Sequence, residues 1–315
     1  MSLAPHVRTL GRGPGRSRSL TRAEAREAMA VMLSGEAAPE AVGALLMLLR
    51  MKGETADEIA GFAEAAQAEV GPMPRVDLDW PSYAAGRTRG APWFLLSARL
   101  VAQAGHRVLL HGWNGADGAV RAGLGEAGIG VARTAEEAGA LLERERIAYL
   151  PLEDMHPALF GLLQLRAVLG LRSCVNTVCR MLNPGRARAG VQGVFHPSYR
   201  LLQADAAARL GWRSLSVIKG GGGEFERHPG KEIAAFGLRG GEAWQGKAGA
   251  RVEETRRLAG DGPGLGEVWS GAQRPGFETE IVLGTAALAL ATLGREGAAR
   301  EAETLWRTRP ARCIA

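Results

Sequence analysis

Apolar positions change their spacing partway along the chain. Up to residue 70 they come in long blocks, of which PEAVGALLMLLRMKG (39–53) is apolar enough for a buried helix that Gly53 can end. Three Thr-x-x-Glu steps mark helix starts: Thr21 with Glu24, Thr55 with Glu58, and Thr134 with Glu137. In each, hydroxyl and carboxylate can satisfy one another's free amides. Residues 20–70 therefore read as three helices without a strand. VGPMPRVDLDWPS (70–82), broken by three prolines, reads as a linker.

Beyond the linker the apolar runs shorten. APWFLLSARLVAQAG (91–105) predicts a helix with Pro92 in its first turn, and RVLLHG (107–112), IAYL (147–150), SLSVI (214–218) and EVWS (267–270) are strand candidates. Further helices are expected at His156-Pro157 and His196-Pro197, where a capping role for the histidines outweighs a catalytic one. Alternating helix and strand implies a mostly parallel sheet covered by helices. The expected class is α/β, with a small all-α N-terminal domain and a larger α/β domain.

Composition narrows the partners. With 46% hydrophobic residues over 315 positions the chain can build a proper core, and its net charge of +6 comes almost entirely from arginine. Arginine's flat fork suits phosphate oxygens, so nucleic acid and anionic cofactors become plausible ligands. Cys174, Cys179 and Cys313 form neither a disulfide framework nor a metal-ligand spacing and read as reduced thiols. No apolar run is long enough to span a bilayer and the N-terminus has no apolar signal segment, so a cytoplasmic protein without membrane contact is expected. Residues 11–18, GRGPGRSR, read as a basic arm.

Ligands of open parallel sheets sit beyond the carboxyl ends of strands, which directs attention to two glycine-rich loops. HGWNGADG (111–118) either lets backbone amides approach an anion or is a turn that needs positive φ. KGGGGEFERHP (219–229) lacks the lysine and hydroxyl that close a P-loop, yet places Glu224 and Glu226 two apart, so that in an extended segment both can face one magnesium ion. Arg227 can pair one of them off instead. Arg87, Arg89, Arg180, Arg186, Arg188 and Arg200 fall in segments read as loops or helix ends, and the loop NPGRARAGVQG (183–193) is a place for a phosphate backbone. Trp80, Tyr83, Trp93, Trp113 and Tyr199 lie among these charges, the mixture a single-strand binder uses for stacking.

Several stretches carry a family likeness. LLRMKGETADEIAGFAEA (48–65), MHPALFGLLQLRAVLGLRSCVN (155–176) and MLNP (181–184) resemble anthranilate phosphoribosyltransferases, with HPA, R-x-x-LG-x-R and LNP elements in that order. The resemblance implies a helical domain over 1–78, to which helices of about 155–185 return. It also implies an α/β domain over the rest of 79–315 and a homodimer formed through the helices. It implies departures too. The family's glycine loop for pyrophosphate is replaced by DWPSYAAGRTRG (79–90), and its KHGN motif by LHGW, which keeps His111 and Gly112 but brings Trp113. Its metal-binding Asp-Glu pair becomes Phe225-Glu226, while Arg166 keeps the position of the arginine that contacts anthranilate.

DWPSYA, PWFLLSA, RVLLHG, GVFHPSY and the form of 219–229 look like a divergent, nucleic-acid-binding branch, the YbiB-like proteins. The expectation is accordingly a protein that binds nucleic acid, single-stranded DNA foremost, and needs no cofactor. Its contacts are expected to be Arg87, Arg89, Arg166, Arg186, Arg188, Arg200, Lys219 and Arg227, with Tyr83 and Trp113 as stacking faces. His111, Gly112 and Gly220, Gly221, Gly222 and Gly223 are expected to keep the shape of a phosphate loop. The alternative is a phosphoribosyl or other glycosyl transferase with an altered substrate, using phosphoribosyl pyrophosphate and magnesium on Glu224 and Glu226.

Overall fold

Capping chemistry fixes where the N-terminal helices begin. In a computed structural model, which describes residues 2–84, 90–115, 117–256, 262–272 and 276–311, Thr21 Oγ1 accepts from the Glu24 amide at 3.2 Å while the Glu24 carboxylate accepts from the Thr21 amide at 2.8 Å. Thr55 and Glu58 repeat the arrangement at 3.2 and 2.8 Å. These boxes start the helices Arg22–Leu33 and Ala56–Glu69; Pro39–Lys52 lies between them and Ala4–Gly11 precedes them. At the third site Thr134 accepts from Glu137 as expected, but the Glu137 carboxylate turns to the Arg133 amide instead. The basic arm is not free along its length, since Arg18 reaches Glu24 with both terminal guanidinium nitrogens.

Glu58 has a second task. Its other carboxylate oxygen accepts the Leu20 amide at 2.8 Å, so a fully buried acid ties the segment before the helix Arg22–Leu33 to the start of Ala56–Glu69. The same two helices cross closely at Gly61, where a β-carbon would stand 2.3 Å from the Arg22 carbonyl oxygen. Ala25, Met29, Leu45, Leu49, Ile59 and Phe62 form one apolar cluster with Leu159, Leu163, Val175 and Val178. The latter come from the helices Pro157–Gln164 and Val175–Arg180, so this part of the chain packs on the N-terminal helices. His156 caps Pro157–Gln164: its Nδ1 accepts from Leu159, and its Nε2 lies 3.1 Å from the Ala66 carbonyl oxygen.

The larger layer is a seven-stranded sheet. Its strands are β1 (Leu78–Ser82), β2 (Val108–Gly112), β3 (Ile147–Pro151), β4 (Ala189–Val194), β5 (Ser214–Lys219), β6 (Ile233–Arg239) and β7 (Glu242–Ala248). The order is β3-β2-β1-β4-β5-β6-β7, parallel through β5 and antiparallel from β5 to β7. One face packs on the helical cluster, and the other is covered by Phe94–Gln103 and Phe277–Thr292, whose apolar residues join Trp80, Phe225 and Trp269.

Three segments differ from the reading of the sequence. EVWS lies in a helix, Leu265–Ser270, closed by Glu267 accepting the Gly264 amide and by Gly271 at φ +79°. A short apolar run between glycines does not by itself separate helix from strand. LDWPS, expected as linker, is the central strand β1. Its proline fits because Ser82 turns its carbonyl to the β2 side, bonding Trp113, so Pro81 faces the β4 side, where pairing stops after Asp79. The end of the expected basic loop, AGVQGV, is β4.

Glu58→Ala is expected to lower stability by roughly 1–3 kcal/mol, because two amides lose their acceptor inside the core. Glu24→Ala, at an exposed cap, is expected to stay at about 1 kcal/mol or below. Urea unfolding of both variants checks the order; equal midpoints would contradict it.

Candidate active site

The strand order places a crevice. The chain runs outward from β1 to β2 and β3, then returns to the other side of β1 with β4 and β5, so the carboxyl ends of β1 and β4 flank the point where the winding reverses. Loops after β1, β2, β4 and β5 meet there, and the helices that return to the N-terminal bundle form the opposite wall.

Close backbone approach explains the glycines. A β-carbon on Gly220 would lie 1.6 Å from the Glu224 carbonyl oxygen, and one on Gly193 would lie 2.0 Å from the Glu224 carbonyl carbon. Gly222 and Gly223 take φ of +64° and +92°. The loop thus folds back on β4 and drives Glu224 inward. Glu224 Oε1 accepts from Ser82 Oγ at 3.0 Å, the Ala84 amide at 3.0 Å and Asn114 Nδ2 at 3.1 Å. One carboxylate therefore fastens the loops after β1, β2 and β5. Glu226 turns elsewhere, accepting the Phe94 amide at the start of Phe94–Gln103 at 3.1 Å.

Beside this clasp opens a cavity of about 520 Å³, lined by Arg50, Arg166, Arg172, Arg180, Phe195 and His196 among others. Arg180 is buried beneath it, donating from Nε to the Gly193 carbonyl at 3.1 Å and from Nη1 to the Asn176 carbonyl at 3.0 Å. Burial lowers its basicity, and also that of Arg172, on which the charges of Arg166 and Arg50 act in the same direction. The helical wall is closed by Ser173, Asn176 and Thr177, and Tyr199 adds a ring whose hydroxyl donates to Glu54 at 3.3 Å. Desolvation raises the Glu54 carboxyl above its usual range.

The structure brings together only some of the residues singled out from sequence. Arg166 and Gly222 line the cavity, and Lys219 is exposed at the carboxyl end of β5. Arg186 and Arg188 do not join them. They line a separate cavity of about 690 Å³ with Arg75, Asp77, His106 and Arg213, residues that precede the strands, so they lie at the opposite end of the sheet. Arg186 donates to Gln67 at 3.1 Å.

Arg227 is buried, its guanidinium on the Gly249 carbonyl and its amide on Thr285. Arg200 bonds the Pro197 and Ala234 carbonyls and lies over the Phe236 ring at 4.6 Å. Tyr83 cannot serve as a stacking face, being fully buried with its hydroxyl 2.8 Å from His111 Nδ1. Burial holds its phenol well above the usual range. His111 is buried as well, with Nε2 3.2 Å from Asp79 Oδ1, and Gly112 approaches the Ser82 carbonyl. Trp113 packs edge-on against Phe160. Gly221 lies against the Glu226 side chain. Arg87, Arg89 and Cys313 lie outside the described residues. Arg50 and Arg172 escaped the reading, although Arg172 closes the R-x-x-LG-x-R element that Arg166 opens.

A helical bundle docked on an α/β sheet, with a cationic crevice at the switch point, defines the class, and comparison with known proteins places the chain within it. Residues 5–69 match the glycosyl transferase family, helical bundle domain, and residues 95–240 match the glycosyl transferase family, a/b domain. The chain is similar to the anthranilate phosphoribosyltransferases of Desulforudis audaxviator, 33% identical over 90% of this chain and 85% of that one, and of Anaeromyxobacter sp., 32% identical over 90% and 87%. The match to the Myxococcus xanthus anthranilate phosphoribosyltransferase is 35% identical over 70% of this chain and 66% of that protein, just under two thirds of its length.

Among solved structures, the anthranilate phosphoribosyltransferase of Thermus thermophilus superposes with a TM-score of 0.80 at 25% identity, covering 98% of this chain and 94% of that one. The Saccharomyces cerevisiae enzyme in complex with PRPP and Mg shares the fold at a TM-score of 0.77 and 17% identity, covering 97% and 92%. The chain belongs to the glycosyl transferase family that includes the anthranilate phosphoribosyltransferases.

Two expectations are corrected by these relatives. Single-stranded DNA binding as the main function gives way, because relatives matching most of the chain carry the name of a phosphoribosyltransferase. The absence of any cofactor gives way too, since a fold neighbour was solved with PRPP and Mg. No helix among the described residues is long and apolar enough to cross a membrane.

Glu224→Ala leaves three donors without their acceptor and is expected to lower stability by roughly 1–3 kcal/mol, while Glu224→Gln, which keeps an oxygen there, is expected to lose less. Unfolding midpoints test this; an alanine variant as stable as the parent would show that the carboxylate is not the fastening.

Proposed function

We propose that this chain is a phosphoribosyl or related glycosyl transferase with an altered substrate, and that its acceptor binds in the arginine-lined crevice between helices and sheet. The observation that carries the reading is Arg166, which the resemblance puts at the anthranilate-contacting position and which lies on the wall of a cavity with no aspartate or glutamate among its described lining residues. Arginine forks on the helical wall of a pocket hold and orient a carboxylate through paired, charge-assisted hydrogen bonds. Ser173, Asn176 and Thr177 add neutral polar groups. Arg180, immobilised by its carbonyl partners, supplies fixed positive potential beneath the site without needing to move.

PRPP with magnesium is the group the fold family implies, and it would supply the ribosyl donor. The carboxylates proposed to hold the metal do not fit it as they stand. Glu224 commits Oε1 to Ser82, Ala84 and Asn114, Glu226 commits Oε2 to the Phe94 amide, and both residues are 1% exposed and directed to different partners. Among the described residues no group of three or more His, Cys, Asp or Glu side chains is placed to hold a metal ion. No step is therefore routed through magnesium. We infer in addition that the chain pairs with a second copy through its helices, a reading supported by Met51 and Val168, apolar side chains 83% and 82% exposed on that side of the molecule.

The test is transfer from PRPP to a panel of aromatic acids and bases, with magnesium present. Turnover of at least one acid is expected, and Arg166→Ala should lower kcat/KM for it roughly ten- to hundredfold, the loss of one charged hydrogen-bonding partner. No turnover of any acceptor, or an Arg166→Ala variant as active as the parent, would refute the reading.

A further inference from the structure

Resting on the transferase reading of this crevice, we infer that Gln203 is a specificity-determining residue, and that the acceptor carries, besides its carboxylate, a neutral amide-type edge with an N–H beside a C=O. Gln203 sits one turn beyond Tyr199 on the helix Tyr199–Arg209, and both residues line the cavity of about 520 Å³. Gln203 is 1% exposed, yet among the described residues no group bonds its carboxamide, and Oε1 is enclosed without a donor. Carboxamides elsewhere in the chain behave differently. Gln67 gives Nε2 to the Leu182 and Asn183 carbonyls and takes Arg186 Nη1 on Oε1, while Asn183 closes both of its ends on the Ala187 backbone. In the cavity itself Asn176 donates to the Tyr83 carbonyl and accepts from Arg180, and Tyr199 donates to Glu54, so those neutral groups are already committed.

A buried polar group without a partner costs stability, and at so enclosed a position an apolar side chain of the same shape would serve the fold better. A carboxamide in that state on the wall of a cavity is one whose partner arrives with the ligand. It offers a donor beside an acceptor, and a half-turn of the amide exchanges them. The complement that satisfies both at once is another donor-acceptor edge, the pairing by which glutamine and asparagine read adenine. A hydroxyl group satisfies one end at a time. Arg166 lines the same cavity and takes the carboxylate, and Phe195, 58% exposed, presents a ring there. An aromatic acid bearing a carboxamide or a ring lactam uses all three.

Isothermal titration with no PRPP present compares three sets of aromatic acids: the ortho, meta and para carbamoylbenzoates, hydroxybenzoates and toluates. One carbamoylbenzoate is expected to bind at least about tenfold more tightly than the hydroxybenzoate and toluate of the same pattern, the effect of pairing a buried group that otherwise has no partner. Gln203→Met, which keeps the length of the side chain and removes both polar ends, is expected to bring the three to within about threefold of one another. The same substitution should leave the urea unfolding midpoint equal to or above that of the parent, because no hydrogen bond within the protein is lost.

Hydroxybenzoates or toluates that bind as tightly as every carbamoylbenzoate, the result expected if water alone satisfies Gln203, would overturn the inference. So would a preference that survives Gln203→Met, or no binding of any acid. A Gln203→Met midpoint well below the parent's would overturn it too, by showing that the carboxamide serves the fold. A transfer assay that fails with every acceptor while the preference stands would refute the transferase reading alone. Turnover of an aromatic acid without any amide preference would refute only the present inference.

Discussion

The architecture of the crevice depends on one buried carboxylate. Glu224 draws a backbone amide, a hydroxyl and a carboxamide onto a single oxygen, and those donors belong to loops that leave two different strands. Because its own loop springs from a third strand, the acid holds the carboxyl ends of β1, β2 and β5 in fixed relation. The glycines around it follow from the same constraint, since Gly193 and Gly220 leave no room for a side chain where the backbone of Glu224 passes. Buried polar groups are costly unless fully partnered, which is why such a clasp either forms completely or fails.

What the clasp fixes, the helices complete. Arg166, Arg172 and Arg180 reach the crevice only because helices after β3 return to pack on the N-terminal bundle, and Arg50 reaches it from that bundle itself. The site therefore exists between two layers that are far apart in sequence. Positive charge is concentrated on the helical side and apolar ring surface on the sheet side, an arrangement suited to a flat anion. The second arginine cluster, around Arg186 and Arg188, sits at the opposite end of the sheet and has no part in this crevice.

Much of the helical layer was legible in the sequence because its signals are local. Thr21-Glu24 and Thr55-Glu58 satisfy one another within a single turn, and both formed as read. Strands β2, β3 and β5, apolar runs without competing signals, were also found. β1 and β4 were not, because a proline and a run of glycine and arginine mask strands whose pairing is decided by distant partners. The site was less legible still. Glu224 and Glu226 share a period-two spacing that suggested a joint metal ligand, yet the backbone bends at Gly222 and Gly223 and sends them to different partners. Tyr83 looked like a surface ring beside arginines and is the buried end of a hydrogen-bonded pair with His111. Sequence proximity of charge to aromatic residues did not survive folding, whereas the R-x-x-LG-x-R element kept Arg166 and Arg172 together because it spans a single turn.

The decisive question is where an aromatic acid binds. A crystal structure of the protein soaked with such an acid measures this directly. It should show the ligand between Phe195 and the guanidinium groups of Arg50, Arg166 and Arg172, with Glu224 still on Ser82, Ala84 and Asn114. Density at the Arg186 and Arg188 end of the sheet, with the helical crevice left to solvent, would contradict it.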